Sequence, residues 1–335
     1  MDSAITRFES VLVPHSKFQD AVRRMEQNFK YAQQASEPVC MALIGESRTG
    51  KSRALDTFLL DHSKQRLSEG MNVPVLLVKA PSRPTVKSLA ELMLEELGDR
   101  EPGLGTENER TRRLKRLMKG AQTRMLMIDE FQHFYDKGTK AIIHQVTDWL
   151  KILVDDRRCA LVVAGLPSAK TVIDQNEQLA GRFQAPVHLS RFHWRNEDDK
   201  EEFVGILREF DAELREKFQI PTFYNDGMAF RFWVATGGLI GYLTKLLRKA
   251  VCNAVDANLG EITLEHLCIA HRESMWDEPG ADRVLSPFDR NFKPEFSTDV
   301  EQQVLRIGTV LNPIEPTPRS YPRKPRTANA CLTRN

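Results

Sequence analysis

The run Gly45-Glu46-Ser47-Arg48-Thr49-Gly50-Lys51-Ser52 has the spacing G-x-x-x-x-G-K-[ST] of a loop that grips phosphate. Each fixed position answers a chemical need. The glycines let the backbone curl so that its N–H groups face phosphate oxygens. A helix beginning at Lys51 turns its positive end towards the same anion. Lys51 itself would reach the β- and γ-phosphates of ATP, and Ser52 would ligate Mg²⁺, an ion that keeps several waters and takes few protein ligands. Residues Gly45 to Arg53 are therefore the candidate nucleotide-binding set. A chance glycine turn would match in about one chain in a hundred of this size. The context makes chance rarer still: the apolar run Val39–Ile44 precedes the loop, and Leu55, Phe58 and Leu59 follow it at helical spacing.

A second constellation lies downstream at Met125-Leu126-Met127-Ile128-Asp129-Glu130, an apolar strand ending in two carboxylates. Strands often end in acidic turns, so the pattern gains its meaning from the loop upstream. Asp129 would hold the Mg²⁺ through water, and Glu130 would orient and deprotonate the attacking water. The run Ala160–Ala164 ends in Gly165-Leu166-Pro167-Ser168. ATPases with such a glutamate commonly place a γ-phosphate sensor at that tip; here only Gly165 and Ser168 are offered, and a plain strand-to-helix turn is an equal reading. Arg182, in Leu179-Ala180-Gly181-Arg182-Phe183, stands where ring-forming ATPases place an arginine that reaches the neighbour's ATP. The plainer alternative is a cap on the helix before it, and Arg191 is the reserve candidate. His133 follows Glu130 by three residues. Packing at the loop mouth is favoured over orienting Glu130 by a hydrogen bond.

Positioning these residues takes an α/β scaffold. Short apolar runs at Val39–Ile44, Val75–Val78, Met125–Ile128, Ala160–Ala164 and Val187–Leu189 alternate with helix-like segments at 51–67, 85–97, 107–120, 139–154 and 168–180. Strand alternating with helix implies a parallel sheet of five strands covered on both faces. Ahead of it, Phe18, Val22, Met25, Phe29 and Ala32 form one apolar helical stripe. Beyond about residue 195 the strand runs stop, and 196–218, 226–236, 239–257 and 263–276 read as helices. The expected division is an N-terminal helical segment (1–36), a phosphate-loop core (37–194), a helical lid (195–278) and a Pro-rich basic tail (279–335). The tail interleaves Pro313, Pro316, Pro318, Pro322 and Pro325 with Arg319, Arg323, Lys324 and Arg326; it would dock a partner or lack fixed structure.

With the phosphate loop, the Asp-Glu strand, Arg182 and a trailing helical lid in order, the chain resembles an AAA+ ATPase over about residues 15–276. Asp129-Glu130-Phe131-Gln132-His133, Ala164-Gly165-Leu166-Pro167, Gln178–Phe183 and Gly237-Gly238-Leu239-Ile240-Gly241 are similar, in that order, to the TniB/TnsC family of transposition regulators. The resemblance implies an AAA+ P-loop fold with a five-stranded parallel core and a C-terminal helical lid. It also implies weak ATP hydrolysis and assembly as rings or filaments on double-stranded DNA. The implied partners are transposase subunits and a target-selector protein of the TniQ kind, in a bacterial cytoplasm. Many AAA+ relatives carry a lid arginine where this chain has Gly241; Lys245 or Arg248 would have to substitute, which puts the lid's part in hydrolysis in question.

Net charge is only +2 across 335 residues, so DNA contact must come from local patches. Two are visible. Lys79, Arg83 and Lys87 follow the second core strand, in a region the resemblance turns towards a ring pore. Arg110, Arg112, Arg113, Lys115, Arg116 and Lys119 share a helix whose apolar stripe is Leu114, Leu117 and Met118; a solvated face is the plainer and favoured explanation of them. Contact of this kind follows the phosphate backbone and weakens with salt. The five cysteines are scattered with no CxxC pair, which argues against a metal or disulfide framework. No apolar run is long enough to span a bilayer. Two other functions share the core: a nucleotide-switched signalling scaffold without DNA, and a helicase or initiator loader.

Overall fold

The computed structural model describes residues 14–68, 70–157, 159–275 and 285–308. The first elements are α1 (Ser16–Tyr31), β1 (Cys40–Ile44), α2 (Lys51–Asp61), a small hairpin of β2 (Gln65–Leu67) and β3 (Gly70–Asn72), then β4 (Val75–Lys79). They are followed by α3 (Val86–Glu96), α4 (Glu107–Gly120), β5 (Met125–Asp129), α5 (His133–Lys137), α6 (Lys140–Arg157), β6 (Ala160–Gly165), α7 (Ser168–Asp174), α8 (Glu177–Ala180) and β7 (Val187–His188). The remaining helices are α9 (Glu197–Arg215), α10 (Asp226–Thr236), α11 (Ile240–Asp256), α12 (Leu264–Ser274) and α13 (Thr298–Arg306).

The expected five-stranded parallel sheet is present, in the order β4-β5-β6-β1-β7. As the alternation along a strand requires, Cys40, Ala42 and Ile44 of β1 join one apolar layer with α3, α4, α6 and α7, while Met41 and Leu43 join the other with α1 and α2. Burial on both faces is why these strands read as unbroken apolar runs. The same order sets β6 between β1 and β5, so the phosphate loop, the Asp-Glu turn and the β6 tip emerge side by side at the carboxyl edge of the sheet, where α/β folds place their ligands.

Three expectations are corrected. The helix read over 51–67 stops at Asp61, and Gln65–Asn72 pair as a hairpin closed through Gly70, whose φ is +139°. The helix read over 168–180 is broken into α7 and α8, because Asn176 leaves helical geometry and caps α8 by accepting from the Leu179 N–H. The described residues 285–308 are folded rather than tail-like. Phe288 and Val304 are buried in the helical core that also contains Phe203, Trp233 and Leu246, and Ser297 caps α13 by accepting from the Val300 N–H. The Pro- and Arg-rich run read as a tail, at 309–335, lies outside the described residues, as do residues 1–13. Among the described residues no helix is long and apolar enough to cross a membrane.

Candidate nucleotide site

The loop between β1 and α2 is shaped by two left-handed residues, Arg48 (φ +67°) and Gly50 (φ +95°). Gly45 is required for a different reason. A Cβ there would sit 2.0 Å from the Leu189 carbonyl oxygen, so the loop can lie against the end of β7 only without a side chain. Thr49 ties the turn by donating from Oγ1 to the Glu46 carbonyl (2.9 Å). Among the described residues, the backbone N–H groups of Ser47, Arg48, Thr49 and Gly50 have no protein acceptor. A curl of free donors ending in a helix N-terminus fits an anion.

Lys51 is buried at 9% exposure and donates to the Gly45 carbonyl (2.9 Å) and the Glu46 carbonyl (2.6 Å). Burial pulls its pKa below the usual lysine value; the negative charges of Asp129, Glu130 and Glu46 act in the opposite direction. Ser52 donates from Oγ to Asp129 Oδ2 at 2.6 Å, and Asp129 Oδ1 accepts from the Glu130 N–H. The serine and the aspartate, 77 residues apart in the chain, thus share one point. They are hard oxygen ligands few in number, the set Mg²⁺ takes when it keeps most of its waters.

Glu130 occupies a left-handed conformation (φ +56°) that an L-residue adopts at some cost. The turn lets the Phe131 N–H reach the Ala164 carbonyl of β6 (2.9 Å). It also lets Gln132, only 3% exposed, donate its amide to Glu130 Oε2 while its Oε1 accepts from the Leu166 N–H (3.1 Å). Gln132 therefore links the glutamate to the β6 tip, a link that sequence reasoning missed. A Cβ on Gly165 would approach Gln132 Oε1 to 2.5 Å, so Gly165 is a seat for Gln132 rather than a polar group itself. His133 turns away from Glu130: its Nδ1 lies 3.1 Å from the Ala80 carbonyl, the packing role favoured from sequence.

The other candidates separate clearly. Arg182 is tied within its own chain, to Asp155 Oδ2 (2.9 Å) and the Gln178 carbonyl (3.4 Å). Arg191, the reserve, is buried at 3% and bonded to Glu46 and three carbonyls, which removes it as an arginine for a neighbouring subunit. Gly241 lies on the phosphate loop, its N–H donating to the Arg48 carbonyl (2.8 Å). A Cβ there would meet that oxygen at 2.9 Å, which explains why no arginine stands at this lid position. Lys79, Arg83, Lys87, Arg112 and Arg116 are exposed, and Lys79 pairs in register with Asp129. Arg113 and Arg110 are not free for a polyanion. Arg113 bonds Asp99, Leu104 and Glu101, while Arg110 is 3% exposed and bonds Glu91 (2.6 Å).

The model of the family described as bacterial TniB protein matches residues 7–194, more than half of the chain. The chain belongs to the TniB family. The match includes the phosphate loop, the Asp-Glu turn and Arg182, and it ends where the helical part of this TniB-family chain begins. Solved structures extend the likeness further. The ORC2 protein of Aeropyrum pernix, solved as ADPNP–ADP complexes, is 14% identical; the alignment covers 84% of this chain and 74% of that one, with a TM-score of 0.60. Cdc6p from Pyrobaculum aerophilum is 12% identical over 83% and 73%, with a TM-score of 0.60. The Aeropyrum pernix ORC1 protein in complex with DNA is 17% identical over 78% and 66%, with a TM-score of 0.55. No curated protein sequence matches this one. At these identities the structures establish the AAA+ fold, and the family establishes a transposition-associated ATPase of that class.

Proposed function

We propose that this TniB-family ATPase assembles on double-stranded DNA with ATP and Mg²⁺ and links a target selector of the TniQ kind to transposase subunits, with slow hydrolysis. The observation that carries the nucleotide part is the Ser52–Asp129 hydrogen bond (2.6 Å) beside the buried Lys51 ammonium. It joins the two motifs at one point. In this reading residues 37–194 are the ATPase core and 195–278 the lid. The backbone of Gly45–Gly50 and the Lys51 ammonium bind the phosphates. Ser52 and Asp129 would hold Mg²⁺, which would supply positive charge against the charge that develops on the phosphate oxygens. Glu130 takes the proton of the attacking water. Arg182 serves a neighbouring subunit's nucleotide once it leaves Asp155. The exposed Lys79, Arg83, Lys87, Arg112 and Arg116 follow the DNA backbone; the ORC1 likeness, a fold solved with DNA, supports this part. The family match favours transposition over a helicase or initiator loader, with which only a fold is shared.

The decisive experiment is particle size with double-stranded DNA and a non-hydrolysable ATP analogue, beside a Lys51→Ala control. Large DNA-bound assemblies that require both nucleotide and Lys51, and that dissolve as salt rises, are the expected result. Assembly with nucleotide but indifferent to DNA would transfer the reading to a signalling scaffold.

Gln132 acts on the reaction through Glu130. Gln132→Met keeps the volume but removes a hydrogen bond to a charged group, a bond of about 1.5–3 kcal/mol. The expected outcome is a roughly 10- to 100-fold lower kcat with unchanged affinity for the analogue. Equal losses in kcat and affinity would reduce Gln132 to a structural residue.

A further inference from the structure

The segment that leaves β7 touches the phosphate loop on one side and the last described helix on the other. The Leu189 carbonyl is the wall against which Gly45 lies. Two residues on, Arg191 donates from Nε to Glu46 Oε2 (2.7 Å) and from its terminal nitrogens to the carbonyls of Gly237 (3.3 Å), Val304 (3.2 Å) and Ile307 (3.1 Å). Arg195 then pins the start of the same helix, bonding Glu301 (2.9 Å) and Thr298 Oγ1 (3.3 Å). Helix α13 is therefore held at both ends by the segment that shapes the phosphate loop, and Val304, 1% exposed, anchors its last turn in the helical core.

The electrostatics give this arrangement a consequence. Glu46 is part of the phosphate loop, and its carboxylate would repel a triphosphate unless a cation offsets it. Arg191 is that cation, and its guanidinium is buried at 3% exposure, so it holds its place only while its donors have acceptors. Two of its three carbonyl acceptors belong to the end of α13. If α13 leaves, the guanidinium loses them and must shift to find others, and Glu46 is left uncompensated.

We propose that Arg191 is a positioning residue of the phosphate loop, set in place by α13, so that nucleotide affinity and the docking of α13 rise and fall together. The inference rests on the nucleotide reading of residues 45–52. Linkage makes the effect reciprocal: nucleotide binding strengthens the docking of α13 by the factor by which docking strengthens nucleotide binding.

The test uses the full chain. Val304→Asp places a carboxylate in the apolar seat of α13, outside the nucleotide site, and lowers affinity for the non-hydrolysable ATP analogue about ten-fold, within the range of typical site coupling. Glu46→Gln sets a new baseline affinity, from which adding Val304→Asp causes less than about a two-fold further loss, because the two changes act through one pair. An unchanged affinity in Val304→Asp, or an equal fall in both backgrounds, overturns the proposal. Should Val304→Asp fail to fold, hydrogen exchange of the unsubstituted chain decides. Amides of 297–308 exchange more slowly with the analogue bound, and Glu46→Gln removes that nucleotide dependence; exchange indifferent to nucleotide overturns the proposal. A wild-type chain that binds no nucleotide would instead sink the reading on which the inference rests.

Discussion

Lys51→Ala raises the dissociation constant for ATP by at least about 100-fold. A buried ammonium aimed at phosphate makes charge-assisted hydrogen bonds of about 1.5–3 kcal/mol each, and one such bond at the upper end already accounts for a factor near 100. The structure shows why alanine cannot compensate. Lys51 is the cation that the loop itself encloses, bonded to the Gly45 and Glu46 carbonyls, and the negative charges of Asp129, Glu130 and Glu46 all act on it. Without the ammonium, Asp129 and Glu130 lose the cation that offsets them beside a polyanion. Titration of a fluorescent ATP analogue, with circular dichroism as a check on folding, measures the effect. Normal affinity in a folded variant would remove residues 45–52 from the nucleotide site.

Glu130→Gln separates binding from chemistry. A positioned general base contributes about 10²- to 10⁴-fold, so hydrolysis falls by that factor while affinity stays the same. The fold should tolerate the change, because a glutamine carbonyl can accept the Gln132 amide as the carboxylate does. The variant then holds ATP without consuming it and accumulates in whatever assembly ATP supports. Single-turnover kinetics, paired with particle size, checks both halves; unchanged turnover would take the role of base away from Glu130.

The phosphate loop and the Asp-Glu turn were legible because their chemistry leaves little choice of residue, and the five strands because burial on both faces makes them continuous apolar runs. What stayed hidden was set by contacts distant in sequence. Gln132 carries no motif of its own; its task is defined by the Leu166 N–H, 34 residues on. Helix α13 was obscured by the prolines that follow it, although Ser297 and the acidic Asp299 and Glu301 are ordinary start signals. The basic face of α4 was over-read, and a signal for the correction was present. Arg110 precedes Leu114 and Met118 by four and eight residues, which places it on the buried stripe. The departure at Gly241 was visible as a departure, but its cause, the close approach to Arg48, was not.

That approach also bears on protein engineering. A designer wishing to quicken this enzyme would be tempted to graft an arginine at residue 241, copying the lid arginine expected of other AAA+ proteins. The side chain would begin 2.9 Å from the Arg48 oxygen, so the graft would lever the lid away from the very loop it was meant to serve. Improvement would have to enter further along the same helix, where Lys245 and Arg248, one and two turns on, already carry the charge.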